Sequence, residues 1–171
     1  MKKNKNNSGF TLVEMLVTVF VFSIIMTIAG SIFVQALDLQ RRAFSIQDLE
    51  ETGRFALETM AREIRFGDIQ TADSNCPSSP SDELQIMHPV NGDIIYRHRD
   101  TRIVKVTNGT ARNLVFDQDL EVTNLRFCVS GVTEGDNIQP KVTILISLST
   151  GKKDTQTIDL QTTVTQRFLN D

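Results

Sequence analysis

A chain of 171 residues, 40% of them hydrophobic and 23% charged, is long enough for one folded domain with an appended helix. One tyrosine and no tryptophan leave few rings on which nucleic-acid bases could stack, which argues against a surface for single-stranded nucleic acid. The charges are distributed unevenly: residues 1–9 hold three lysines and no acid, whereas residues 10–34 hold Glu14 as their only charge.

The first predicted element is a membrane-spanning helix. Residues 15–34 carry no charge, and as a helix these 20 residues would span roughly 30 Å, the hydrocarbon core of a bilayer. A buried core helix is the alternative, although such a helix is rarely apolar on every face over this length. The lysines of residues 1–9 predict a cytoplasmic N-terminus and a C-terminal bulk beyond the membrane, an orientation that Arg41 and Arg42 weaken only slightly.

A secretory signal peptide is the main alternative interpretation, because it too has a basic N-terminal stretch followed by an apolar stretch. Its apolar region would be shorter and would end in small residues at a cleavage site. Here the small residues 29–31 are followed by further apolar residues at 32–34. The sequence changes from polar to apolar before the apolar run, at Ser8, Gly9 and Phe10.

The segment GFTLVE at residues 9–14 stands between the basic leader and the apolar run. In that setting it closely resembles the N-terminus of type IV pilin-like proteins, which include major and minor pilins and the pseudopilins of type II secretion systems. The resemblance implies that a prepilin peptidase cleaves between Gly9 and Phe10 and that the new amino group of Phe10 is N-methylated. It also implies assembly with other pilin or pseudopilin subunits, through the N-terminal helix, at an inner-membrane assembly platform.

Glu14 then has an explanation as an assembly residue. A lone acid in a membrane helix costs about 2.5–3.5 kcal/mol on insertion scales, so a partner is expected. The resemblance implies that this partner is the cationic amine of Phe10 on a neighbouring subunit. The alternative is that Glu14 lies in the headgroup zone and pairs with nothing.

A small polar stripe lies within the predicted span. Ser23, Thr27 and Ser31 recur every four residues, with Gly30 beside them. Such a stripe permits close approach of helices in lipid, or it occurs here by chance.

The helical pattern continues beyond the apolar run. Apolar or small residues at spacings of three and four predict one face of an amphipathic helix: Ile46, Leu49, Gly53, Ala56, Leu57, Met60 and Ile64. Most of the charged residues between them are interpreted as a solvated face. Gly67 is a natural stop, so one helix is predicted from about Phe10 to Phe66.

Both ends of the chain resemble one branch of the pilin-like proteins, the minor pilins of W type and the minor pseudopilins of J type. In the helix, residues 53–57 read Gly-Arg-x-Ala-Leu and residues 62–65 read Arg-x-x-Arg. The final stretch, 160–167, resembles the closing strand of that branch.

The rest of the chain predicts a β-rich head. Residues 70–82 are rich in Ser, Pro, Asn and Asp and indicate a loop. Candidate strands follow at 83–88, 94–99, 102–107, 113–118, 121–129, 141–149 and 155–165. The predicted fold class is α+β, a long N-terminal helix packed on a mostly antiparallel sheet. The predicted parts are a leader (1–9), a transmembrane assembly helix (10–34), an amphipathic helix (35–69) and the head (70–171).

Cys76 and Cys128 are the only cysteines, and both fall on the exported side. That compartment is oxidising in many bacteria, so a disulfide between them is plausible, and closing a loop of about 53 residues would contribute about 4 kcal/mol. Two unpaired thiols are the alternative, because spacing alone does not establish proximity.

No catalytic residues, metal site or cofactor are predicted. His88 and His98 are isolated and are interpreted as ordinary strand residues. One set of oxygen-bearing side chains could in principle bind calcium: Asp117, Asp119, Glu121, Glu134, Asp136 and Asn137. Solvated strand edges and a turn are the favoured interpretation of these residues.

Nucleic acid is an unlikely partner on charge. Arg97, Arg99, Arg102, Lys105 and Arg112 cluster in sequence, and the first two share one strand face. The processed chain, however, would carry 15 basic and 21 acidic residues, a net charge of −6 that disfavours a polyanion. The cluster is interpreted as a solvated face.

These observations favour a minor pilin or pseudopilin in the tip or initiation complex of a fibre. The alternative is a binding module at a pilus tip that engages DNA, a surface or an exported protein. An ordinary membrane-anchored domain is disfavoured because it gives Gly9 and Glu14 no role. Pilus, secretion and competence systems share this N-terminus, so the sequence does not separate them.

Overall fold

The computed structural model describes residues 9–74, 76–114, 120–133, 138–151 and 155–167. In chain order its elements are α1 (Leu12–Phe66), β1 (Asp68–Ile69), β2 (Glu83–His88), β3 (Gly92–Arg99), β4 (Arg102–Thr107), β5 (Thr110–Asn113), β6 (Leu120–Ser130), β7 (Lys141–Thr150) and β8 (Thr157–Thr165). Strands β1 to β5 form one antiparallel sheet in sequential order, and β6 to β8 form a second. The predicted α+β architecture is confirmed, with two sheets where the sequence indicated one.

The chain divides into two compact units, Met1–Ala43 and Phe44–Asp171, and α1 contributes to both. Every residue of the first unit that the structure describes, 9–43, is exposed. Helix α1 contains a window of mean hydropathy 2.4, none of it buried, and by length and composition it could cross a membrane.

Helix α1 ends where the sequence predicts. The amide of Gly67 donates to the carbonyl of Glu63 at 2.8 Å, which closes the last turn. A Cβ at position 67 would lie 2.9 Å from that carbonyl and would overlap the side chain of Ile86. Glycine at the stop therefore permits β2 to approach the end of the helix closely.

The core of the second unit lies between α1 and both sheets. The helix contributes Leu49, Ala56, Met60 and Ile64, all fully buried. The strands contribute alternate residues, because successive side chains point to opposite faces of a sheet. The buried strand residues include Leu84, Ile86, Ile94, Tyr96, Ile103, Leu125, Phe127, Ile144, Ile146 and Leu148.

Of the predicted strand 113–118, the structure describes only the first two residues, and Asn113 is the last residue of β5. Asn108 and Gly109 both have positive φ (47° and 81°), the conformation of a tight two-residue hairpin turn. The chain therefore reverses at once into β5, whose residues Thr110–Asn113 pair with β4. Residues 115–118 lie outside the described residues.

The loop after β1 is held against β6. Cys76 and Cys128 are joined in a disulfide, with their Cα atoms 5.9 Å apart and 52 positions apart in sequence. Ser81 exchanges two backbone hydrogen bonds with Phe127, at 2.8 and 2.9 Å, and the amide of Ser74 donates to the carbonyl of Val129 at 2.9 Å. Covalent and backbone contacts thus fix a segment that has little regular structure.

Candidate processing and assembly site

The peptide bond between Gly9 and Phe10 joins the first two residues that the structure describes. The side chain of Phe10 is 76% exposed. A Cβ built at Gly9 would meet no atom within 4 Å. Within the described residues, the bond is therefore accessible to a peptidase.

Thr11 and Glu14 form a capping box at the start of α1. The amide and the hydroxyl of Thr11 each donate to Glu14 Oε2 at 3.4 Å, and the amide of Glu14 donates to the Thr11 hydroxyl at 3.3 Å. A Thr-x-x-Glu sequence at a helix start satisfies otherwise unpaired amides in this reciprocal way. This cap explains why the helix begins at Leu12 and not at the predicted Phe10.

The cap uses one carboxylate oxygen of Glu14 and leaves the other available. Both bonds from Thr11 go to Oε2, and within the described part of the chain Oε1 receives no hydrogen bond. A carboxylate offers about four acceptor positions on its two oxygens. Glu14 can therefore hold the start of its own helix and still accept an ammonium group from outside the chain.

The hydroxyls in the apolar half of α1 are satisfied within the helix. Ser23 donates to the carbonyl of Val19 at 2.8 Å, Thr27 to that of Ser23 at 2.9 Å, and Ser31 to that of Ile28 at 2.8 Å. Hydroxyls bonded back to the preceding turn need no partner in lipid. The stripe predicted from these residues is therefore small in size and contributes no unpaired polar group.

The solvated-face interpretation of the helix charges is wrong for Glu63. Glu63 is only 9% exposed. Tyr96 on β3 donates its hydroxyl to Glu63 Oε2, and the ammonium of Lys105 on β4 contacts Oε1. Position 63 follows Met60 by three residues and precedes Ile64, so this acid belongs to the buried edge of the helix, where it requires both partners.

Glu63, Tyr96 and Lys105 form one electrostatic cluster. Burial, the hydrogen bond to Glu63 and the charge of Glu63 all raise the pKa of Tyr96, so its phenol stays neutral and acts as a donor. The ammonium of Lys105 also lies 6.0 Å from the centre of the Tyr96 ring. This cluster links α1 to β3 and β4 of the first sheet.

The basic cluster does not form one surface. By the strand register, Arg97 lies opposite Val104, and Arg99 lies opposite Arg102, while Lys105 lies opposite Tyr96. Opposed and alternate residues share a face of the sheet, whereas successive residues do not, so Arg97, Arg99 and Arg102 lie on one face and Lys105 lies on the core face with Tyr96. Arg97 is also 3.9 Å from Glu83. This division gives DNA binding no support.

Three further polar side chains, Asp73, His88 and His98, make hydrogen bonds that stabilise the head. The carboxylate of Asp73 accepts from the hydroxyl of Thr133 at 2.6 Å and from the amide of Val132 at 2.9 Å. These bonds, led by the hydroxyl, lower the pKa of Asp73. His88 Nδ1 accepts two turn amides at 3.2 Å, and His98 Nε2 donates to the carbonyl of Val122 at 2.8 Å.

Of the six calcium candidates, the structure describes Glu121. Asp117, Asp119, Glu134, Asp136 and Asn137 lie outside the described residues. Among the residues that are described, no group of three His, Cys, Asp or Glu side chains could hold a metal ion.

Sequence reasoning missed the capping role of Glu14, the buried acid at Glu63 and the loop cap at Asp73. The first had a usable signal, since Thr-x-x-Glu before an apolar run marks a helix start. The second had a weaker one, its position beside Met60 and Ile64. The third joins residues 59 and 60 positions apart, for which the sequence offers no local signal.

Comparison with known proteins gives one match. Residues 4–30 match the family model of the prokaryotic N-terminal methylation motif. Neither a curated protein nor a solved structure matches the chain. The motif indicates processing by a prepilin peptidase, and the proteins that carry it are structural subunits. With its apolar N-terminal helix and α+β head, the chain is therefore similar to type IV pilin-like proteins in its N-terminal motif and its architecture.

Proposed function

We propose that this chain is a minor pilin or pseudopilin subunit of a type IV pilus or a type II secretion pseudopilus. A prepilin peptidase cleaves between Gly9 and Phe10, and the amine of Phe10 is methylated. The observation that carries the proposal is the methylation motif at residues 4–30, which overlaps a helix whose apolar half is not buried by the described part of the chain. Such a surface is stable only when lipid or other subunits cover it.

Glu14 is the assembly residue of this proposal. It stands in the first turn of α1, immediately before 20 residues without a charge, where an unpaired carboxylate is costly. Cleavage creates an ammonium group at Phe10 that each subunit can offer to the Glu14 of a neighbour. The free Oε1 of the capped carboxylate is suited to accept it.

The head lies on the periplasmic side of the inner membrane in this proposal. The lysines of the leader favour a cytoplasmic N-terminus. The disulfide between Cys76 and Cys128 favours an oxidising compartment for the head. The resemblance of residues 47–65 and 160–167 to the W-type and J-type minor subunits supports a place in the tip or initiation complex.

The test is substitution of Glu14 by Gln in cells that assemble the fibre. Glutamine retains an oxygen that can accept from Thr11, so it keeps the helix cap and removes only the charge. We expect normal membrane insertion and leader cleavage, with incorporation into sheared fibres reduced at least tenfold relative to the unaltered chain.

The matched control is Glu58→Gln, the same change at an exposed position of the same helix. It should enter fibres as the unaltered chain does. Equal incorporation of Glu14→Gln and Glu58→Gln would rule out the charge pair as the basis of assembly.

A further inference from the structure

Two asparagine–glycine pairs lie at the tips of neighbouring hairpins in the first sheet. Asn91 precedes Gly92 at the turn between β2 and β3, and Asn108 precedes Gly109 at the turn between β4 and β5. Glycine has no Cβ to shield its backbone nitrogen, so that nitrogen can reach the side-chain carbonyl carbon of a preceding asparagine. Both pairs therefore have the local sequence for spontaneous loss of ammonia, and the fold decides which of them reacts.

Glycine at position 92 is required by the fold. Its φ is 74°, in the left-handed region, and a Cβ built there would overlap the side chain of Asn108. The close approach of the two hairpin turns thus excludes a side chain at this position. It also leaves Asn91 next to an unshielded backbone nitrogen.

The carboxamide of Asn108 is held at both ends. Its Oδ1 accepts from the amide of Asp93 at 3.1 Å, and its Nδ2 donates to the backbone carbonyl of Asn91 at 3.0 Å. These bonds connect the turn between β4 and β5 to the turn between β2 and β3. Attack by the nitrogen of Gly109 would require the Asn108 carboxamide to leave both partners, which raises the barrier to reaction.

The carboxamide of Asn91 is not held in this way. Asn91 is exposed, and its backbone amide donates to His88 Nδ1 at 3.2 Å. Within the part of the chain that the structure describes, the oxygen and nitrogen of its side chain make no hydrogen bond. Gly92 pairs with His88 at the last position of the ladder between β2 and β3, so only this terminal pair must open to release the Gly92 amide.

We propose that Asn91 is a site of spontaneous deamidation in the folded head and that Asn108 is protected from the same reaction. Hydroxide removes the proton of the Gly92 amide, and the nitrogen attacks Cγ of Asn91. The new C–N bond closes a cyclic succinimide, while Nδ2 of Asn91 takes a proton from water and leaves as ammonia, which returns hydroxide. Water then adds to either ring carbonyl and breaks its bond to the ring nitrogen, which yields aspartate or isoaspartate.

The surroundings of Asn91 can accommodate the new negative charge. Asn91, Lys105 and Arg112 line one cavity of about 470 Å³. Lys105 and Arg112 lie directly opposite each other on β4 and β5, an arrangement of like charges that a carboxylate at position 91 offsets. Glu63 contacts Lys105, whereas Arg112 has no ion-pair partner among the described residues. Deamidation therefore adds an acid to a cavity in which one base is unpaired.

Peptide mapping of the full chain tests the proposal. The detergent-solubilised protein is incubated in mildly alkaline buffer prepared with heavy-oxygen water, and samples taken at intervals are digested with trypsin in ordinary water. Asn91 and Asn108 fall on different tryptic peptides, residues 66–97 and 106–112, so one digest measures both. Each conversion before digestion introduces one heavy oxygen, and fragment masses distinguish Asn91 from Asn75 in the longer peptide.

We expect Asn91 to convert at least several-fold faster than Asn108 while the head is folded, and to give both aspartate and isoaspartate. In guanidinium chloride with a reducing agent the head unfolds, and the two rates should become similar because each asparagine precedes a glycine.

Equal rates in the folded protein, or faster conversion of Asn108, would overturn the inference. So would a folded head in which Asn91 stays intact while the unfolded chain converts completely. A rate difference that persists after unfolding would also overturn it, since that difference would not come from the fold.

The matched control is Asn91→Gln, which keeps a carboxamide but lengthens its side chain by one methylene, so that ring closure by the nitrogen of Gly92 is strongly disfavoured. This variant should lose the mass change in peptide 66–97, and Asn108 should react as slowly as in the unaltered chain. A mass change that persists in this peptide at the same rate would show that the reacting residue is not Asn91.

Discussion

The two units of this chain differ in whether their apolar residues are buried within the chain. In the N-terminal unit the described residues are all exposed, including large apolar ones such as Phe20 and Ile25. In the head, α1 and two antiparallel sheets enclose a continuous core around Leu49 and Phe127. The head is stabilised by its own core, whereas residues 9–43 bury no apolar side chain among the described residues.

One continuous helix, α1, contributes residues to both units. The same backbone conformation runs through Gly30 and Gly53, yet only the second has close neighbours. The difference therefore lies in what surrounds the helix and not in the helix itself. Matched substitutions in the two halves can measure it.

The largest expected difference comes from truncating a phenylalanine. Phe127→Ala removes a fully buried ring and should lower the free energy of unfolding of the head by about 3–5 kcal/mol. Phe20→Ala, at a ring that is 64% exposed, should leave head stability unchanged. Urea unfolding of the detergent-solubilised chain, followed by circular dichroism, compares them. Equal losses would mean that the two units do not differ as described.

The buried acid gives the next largest effect. Glu63→Gln leaves the mostly buried ammonium of Lys105 without a carboxylate and should cost about 3 kcal/mol. Glu50→Gln, the same change in the exposed pair with Arg54 at 2.5 Å, should cost less than about 1 kcal/mol. Urea unfolding again measures both variants. A loss of unfolding free energy at Glu63→Gln no larger than at Glu50→Gln would refute the buried interaction of Glu63 with Tyr96 and Lys105.

Alanine substitution should destabilise the head at Gly53 but not at Gly30. A Cβ at Gly53 would lie 2.7 Å from Leu148 and would overlap Leu160, so Gly53→Ala should destabilise the head by about 1–3 kcal/mol despite the higher helix propensity of alanine. Gly30→Ala meets nothing within 4 Å and should not destabilise it. A neutral or stabilising Gly53→Ala would show that β8 can move away from the helix.

The smallest effect concerns pH. The pKa of Asp73 is lowered in the folded head by hydrogen bonds from Thr133 and Val132, so its contribution to stability is present above the ordinary value of 3.8. That contribution is lost as the pH falls through the lower pKa of the folded state. Asp73→Asn should therefore flatten the dependence of unfolding on pH below about 4. An unchanged acid limb would exclude this role.

Much of the fold could be predicted because it depends on local patterns. The apolar run, the three-and-four spacing from Leu49 to Ile64 and the stop at Gly67 determine α1. Alternation and turn residues locate most strands. Strand β5 was not predicted as a separate strand: the turn at Asn108 and Gly109 reverses the chain into it sooner than the spacing of apolar residues indicates.

The polar interior could not be predicted from local patterns. Glu63 meets Tyr96 and Lys105 across 33 and 42 positions of sequence, and only the packing of α1 on the first sheet brings them together. Lys105 lies among several arginines in sequence, yet alternation turns it to the core face of its strand. At the N-terminus the motif was recognisable, whereas the cap formed by Thr11 and Glu14 requires the position where the helix starts.

We propose that the chain functions after its leader, residues 1–9, is removed. The most direct measurement is mass spectrometry of the N-terminal peptide of the protein isolated from cells that contain a prepilin peptidase. The account predicts a peptide that begins at Phe10 and carries one additional methyl group on its amine. A mature protein that still begins at or near Met1, with Gly9 joined to Phe10, would contradict it.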